Sequence, residues 1–195
     1  MSRARTVANY GDGVEAADLS STLDLTGKTV TLPAGTGGKV LQVVHTAKTD
    51  PQVYSFGANT YGEVTDLRTT ITPTSASSKI LIQVTLGRIA GNSNGGLVAI
   101  TRNDGDITDV GDAVGSRRQH QMFWNDYNNN SDWTESTVTG LFYDEPNSTS
   151  LQTYKILLMG EGGTIYLNRN IAYEDTNIAY RGITASTVVI YEVDM

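Results

Sequence analysis

The spacing Gly91-Asn92-Ser93-Asn94-Gly95 matches G-x-S-x-G, in which a strand delivers a serine nucleophile onto a tight turn and a helix follows. Here the following segment, GLVAIT, is apolar and β-branched, so the serine is expected in a β-hairpin loop instead. The chain has two histidines, His45 in an expected strand and His120 at the start of another, and no credible nucleophile for either to activate. Both read as structural. Asn103, Asp104, Asp106, Asp109 and Asp112 supply oxygen ligands suited to a hard cation, but they lack the D-x-[DN]-x-[DN]-G spacing and closing glutamate of a calcium loop. A solvated loop is the simpler expectation. Asp144 and Glu145 precede Pro146 in a turn, and with Asp126 and Asp132 they are the acids open to a glycan-cleaving carboxylate pair. No spacing sets any two of them at working distance. The chain contains no cysteine, which removes disulfides, thiolate metal sites and thiol nucleophiles together. No catalytic residue, metal site or cofactor is expected, and the chain reads as a non-enzyme.

Binding chemistry is better represented. Trp124, Tyr127 and Trp133 interleave with Asp126, Asn128, Asn129, Asn130 and Asp132. Flat aromatic faces beside amides and carboxylates combine apolar area with directional hydrogen bonds, which suits saccharide or protein partners. Trp124 follows Met122 and Phe123 and is assigned to the core or to a contact between subunits. Tyr127, Asn128, Asn129 and Trp133 are the candidate partner contacts.

The elements that must carry these residues are strands. In SKILIQVTLG, Ile80, Ile82, Val84 and Leu86 share one face, while Lys79, Gln83 and Thr85 share the other. A first strand runs through Val40, Leu41, Val43 and Val44, and a second through Val64, Leu67 and Ile71 to Pro73. Further strands are expected at 96–101, 120–124, 137–143, 151–159, 163–168 and 186–193, separated by turn signals such as NDGD, DEPNSTS and GEGG. That pattern predicts an all-β, antiparallel β-sandwich or jelly roll over residues 39–195. The polar connectors 104–119 and 125–135 are longer than the fold needs and fall on its surface.

Residues 1–38 differ, because apolar residues there come singly or in pairs among Asp, Ser, Thr and Gly. Such a segment cannot bury enough apolar area by itself to offset its ordering entropy. Its two readings are a flexible tail and a short, extended attachment or assembly segment that packs on other subunits; the second is the expectation, with Arg3, Arg5, Tyr10, Leu23 and Leu25 as the candidate attachment residues.

Composition narrows the partners. The chain has 195 residues, a net charge of −7 and only 14 Lys and Arg, scattered except for Arg117 and Arg118. Such a surface repels polyphosphate, so nucleic acid is an improbable partner. No apolar run approaches a membrane span of roughly 18 residues, and MSRARTVANYGDG lacks the apolar core of a signal peptide. Synthesis and assembly in a cytoplasm, without membrane insertion, are the expectation.

GKVLQVVHTAKTD at 38–50, TTITPTSASSKILIQVTLGRIA at 69–90, TGLFYDEPNSTSLQTYKILL at 139–158 and the terminal STVVIYEVDM at 186–195 occur in an order that resembles a module of tailed-phage structural proteins, especially of marine phages. The likeness spans about residues 38–195. It implies a virion appendage protein: a tail-fibre or head-fibre component that can contact the host surface, or a capsid decoration protein. It also implies a homotrimer with a TNF-like or C1q-like sandwich head, joined to other virion proteins through residues 1–38.

Overall fold

The computed structural model describes residues 38–91, 95–107, 109–125, 136–171 and 182–195. Among them, the regular elements are strands and one 3-10 turn at Thr65–Leu67. Numbered in chain order, the strands are β1 (Lys39–Lys48), β2 (Gln52–Ser55), β3 (Gly62–Glu63), β4 (Thr69–Ile71), β5 (Lys79–Gly91), β6 (Gly95–Arg102), β7 (Gly105–Asp106), β8 (Met122–Asn125), β9 (Ser136–Asp144), β10 (Gln152–Gly160), β11 (Thr164–Leu167) and β12 (Ser186–Asp194).

The eight framework strands form two antiparallel sheets, β1-β12-β5-β9 and β4-β10-β6-β8. Counted along the chain, these are the first, eighth, third and sixth framework strands facing the second, seventh, fourth and fifth, which is jelly-roll connectivity. The remaining short strands lengthen the sheets: β11 and β2 continue the first sheet beyond β12, while β3 and β7 extend the second beside β10 and β6.

Period-two alternation builds the core. Ile80, Ile82, Val84 and Leu86 of β5 are fully buried and meet Val188 and Ile190 of β12 in register, Ile82 opposite Ile190 and Val84 opposite Val188. The second sheet answers with Val98, Ile100, Tyr154, Ile156 and Leu158. Each fully buried residue of this size contributes about 1.5–3 kcal/mol. Trp124 is 1% exposed and lies opposite Gly96. A Cβ on Gly96 would stand 2.7 Å from the indole, so that glycine makes room for the ring.

Three sequence expectations change. The strand through Val64, Leu67 and Ile71 is shorter than predicted: Val64 and Leu67 are buried at a 3-10 turn, and only Thr69–Ile71 pairs in a sheet. The hairpin expected around Gly91 and Gly95 does not form, because β5, which ends at Gly91, belongs to the first sheet and β6, which begins at Gly95, to the second. His120 precedes β8 and lies outside it.

β5 is flanked by β9 on one side and by β12 and then β11 on the other, leaving residues 86–88 without a strand partner on that second side. Side chains close the break. Gly87 N donates to Ser186 Oγ at 2.9 Å, Arg88 N to Thr184 Oγ1 at 2.7 Å, and Asn168 N to the Arg88 carbonyl at 2.7 Å. Buried Asn168, at φ 63°, also accepts from Ser186 Oγ at 2.6 Å and donates to the Lys48 and Asp50 carbonyls. A Cβ on Gly87 would lie 2.7 Å from the Ala185 carbonyl oxygen, which excludes any larger residue without backbone movement. Nearby, the fully buried Lys48 ammonium holds Asp50 and Asp66, each at 2.8 Å. Burial alone would lower its pKa; the two carboxylates outweigh that and raise it.

The two outer faces are unlike. Across the first sheet, register aligns Val43, Tyr191, Leu81 and Tyr143 in one row. The next row holds His45, Val189, Gln83 and Leu141, and a third holds Ala47, Thr187, Thr85 and Thr139. None of these positions is Asp, Glu, Lys or Arg. Val43 is 55% exposed and Leu141 60%. On the second sheet, by contrast, buried Ile107 and the segment after it lie over Ala99 and Leu157, enclosing a cavity of about 260 Å³ bordered also by Tyr61, Gln119 and Gln121. Its outer edge carries ion pairs: Arg68 with Glu63 at 2.7 Å, and Lys155 with Asp104.

Candidate interaction site

The residues expected to contact a host or partner, Tyr127, Asn128, Asn129 and Trp133, lie outside the described residues, as do Arg3, Arg5, Tyr10, Leu23 and Leu25 of the attachment segment. The structure describes the root of the 126–135 segment. β8 ends at Asn125, β9 begins at Ser136, and Ser136 Oγ donates to the Asn125 carbonyl at 2.8 Å. Both ends of that segment are therefore fixed to adjacent strand termini of the two sheets.

Beside this root lies an open groove. Phe123 is 57% exposed on the outer side of β8. Register places it opposite Leu97, which in turn lies opposite Met159. With Asn59, Gly95, Gly96 and Glu161 they line a cavity of about 310 Å³. The groove is held by backbone: Asn59 N donates to the Gly160 carbonyl at 3.1 Å and Glu161 N to the Gly95 carbonyl at 3.2 Å. Arg118 Nη1 reaches the Asn59 carbonyl at 3.2 Å. An exposed aromatic ring with an amide and a carboxylate at its rim can stack on the flat face of a sugar or side chain while the rim supplies hydrogen bonds. Sequence reasoning missed Phe123 by grouping it with Met122 and Trp124. The signal was present, since in a strand a buried Trp124 puts Phe123 on the opposite face.

Of the acids considered for catalysis or metal binding, Asp126 and Asp132 lie outside the described residues, and Asp104, Asp109, Asp144 and Glu145 are engaged separately. Asp144 is buried, accepting from Arg102 Nη1 at 2.5 Å and from the Tyr154 hydroxyl at 2.7 Å. Burial, and then that bond to Asp144, push the Tyr154 hydroxyl far above its usual pKa. Glu145 binds the Tyr143 hydroxyl and lies 3.1 Å from Lys79 Nζ, and these two hold its carboxyl below the usual range. Asp104 pairs with Lys155, and Asp109 accepts from Tyr143 N at 2.8 Å on the free edge of β9. Among the described residues no three His, Asp or Glu side chains come together in a way that could hold a metal. His45 is exposed on the first sheet, and His120 Nδ1 lies 3.1 Å from the Arg118 carbonyl. Trp124, left between core and subunit contact by the sequence, is a core residue.

No protein-family model and no curated protein matches the chain. Among solved structures, a chain from the structure of the infectious bursal disease virus Gx strain aligns over 89% of this chain at 12% identity, with a TM-score of 0.34. The alignment covers 41% of that chain, so this protein spans less than half of that neighbour's length.

Proposed function

We propose that this chain is a non-enzymatic structural protein of a tailed-phage virion, an exposed fibre-head component that assembles as a homotrimer and meets the host surface through the 126–135 segment and the Phe123 groove at its root. The supporting observation is the jelly roll itself: the segments that resemble the phage module overlap framework strands β1, β4, β5, β9, β10 and β12, so the resemblance lies in the parts that build the sandwich. Jelly rolls serve many functions, viral capsid domains among them, so the fold alone is permissive. The groove and the aromatic, amide-rich segment beside it supply the contact chemistry.

Mass spectrometry of gradient-purified particles is the first test, with the chain expected at a fixed stoichiometry. Replacing Tyr127 and Trp133 with Ala is then expected to slow adsorption while leaving particle yield unchanged. Unchanged adsorption with the chain present on the capsid lattice would instead assign a decoration role. Release of glycan fragments by the purified chain would contradict the non-enzymatic reading.

A further inference from the structure

Building on the assembly reading above, we infer that the outer face of the β1-β12-β5-β9 sheet is where a second copy of this chain docks. The first argument is charge. With a net charge of −7, two copies repel one another over most of their surface. The three aligned rows of this face offer no Asp, Glu, Lys or Arg in a chain whose charged fraction is 18%. On it two acidic copies can approach with charge confined to the margin, where Glu145 is paired with Lys79 and bonded to the Tyr143 hydroxyl, and Asp109 caps Tyr143 N at the β9 edge.

The second argument is apolar exposure. Val43 and Leu141 stand more than half exposed at opposite edges of the sheet, with Leu81, Val189 and Tyr191 half-buried between them. Tyr143, His45, Ala47, Gln83 and three threonines fill the remaining positions, so apolar side chains are interleaved with polar ones across the face. The third argument is extent. Strand spacing and rise give the three rows roughly 400 Å² of projected area. A stable interface needs roughly 800 Å² per partner, so the flanking edges of β1 and β9 must join the contact. Both edges lack a further strand partner among the described residues.

Because the chain has no cysteine, single thiols can report on this face. Val43→Cys and Leu141→Cys place one on each edge strand, and Phe123→Cys places a control on the other sheet. Sedimentation velocity and maleimide labelling would be run on the same full-length samples at about 50 μM, where mass action favours assembly. The expected result is an oligomer in which thiols at 43 and 141 react roughly tenfold more slowly than the thiol at 123. Leu141→Glu is expected to give monomers, and Phe123→Glu to remain assembled. If the unaltered chain sediments as a monomer with fast thiols at 43 and 141, the assembly reading itself falls. If it is assembled, but those thiols stay fast and Leu141→Glu changes nothing, only the assignment of this face is overturned. Slow thiols in a monomer would mean that another part of the same chain covers the face, which would also overturn a second copy as its occupant.

Discussion

The two sheets of the sandwich share one core and treat their outer surfaces in opposite ways. The β4-β10-β6-β8 sheet is overlaid by the chain after Ile107, edged with ion pairs, and open mainly at the Phe123 groove. The β1-β12-β5-β9 sheet presents uncharged rows with Val43 and Leu141 outward. A protein selected only to be a dissolved monomer gains nothing from leaving a neutral, partly apolar sheet face open beside a well-covered one. The asymmetry makes sense when one face is for assembly and the other end carries the contact loops.

The largest expected effect tests the shared core. Trp124→Ala removes the biggest buried side chain and leaves a void against Gly96, so unfolding free energy should fall by about 3–5 kcal/mol. Hydrogen exchange should then accelerate in both sheets together; acceleration in the second sheet alone would show that the sheets are separate units. Next, Ile107→Ala should cost about 2 kcal/mol, at the low end for such truncations because a surface segment can relax. Its signature is faster amide exchange over residues 109–121, with the first sheet unaffected.

A third experiment uses pH. Burial would raise the Glu192 pKa, but hydrogen bonds from Gln42 Nε2 at 2.6 Å, Thr74 N at 2.6 Å and Thr74 Oγ1 at 2.7 Å outweigh it and hold the carboxyl at about 2, below its ordinary 4.5. Because the folded value is depressed, the stabilisation is fully present above the ordinary pKa. It is lost as pH falls from about 4.5 through about 2. These bonds tie β12 to β1 and to the connection after β4. Glu192→Gln should cost about 1–2 kcal/mol at neutral pH and flatten the stability profile below pH 4.5. Urea midpoints at several pH values would read this, and an unchanged acid profile would count against the network. The smallest effect belongs to the open face: Leu141→Gln should change monomer folding stability by less than about 0.5 kcal/mol. A larger loss would mean that the face already packs against its own chain.

Much of this architecture was legible in the sequence because buried strands write their alternation plainly, as in Ile80, Ile82, Val84 and Leu86. Strands as short as Gln52–Ser55 and Gly62–Glu63 carry too few residues to show a period, and neither was found. The run from Val64 to Ile71 misled because a 3-10 turn can bury Val64 and Leu67 as well as a strand can. Gly91–Gly95 resembled a hairpin because local sequence does not say which sheet the next strand will join. The uncharged rows were invisible for the same reason: Val43, Tyr191, Leu81 and Tyr143 are far apart along the chain, and only register brings them into line. Phe123 could have been found by applying alternation to β8. The proposed contact residues Tyr127, Asn128, Asn129 and Trp133 rest on sequence chemistry alone.

The most direct test of the central claim is cryo-electron microscopy of intact particles at a resolution sufficient to trace this chain. The expected density shows copies meeting through the β1-β12-β5-β9 face, with the Phe123 groove and the 126–135 segment turned outward on a fibre or tail appendage. Absence of the chain from the particle would contradict the virion function outright.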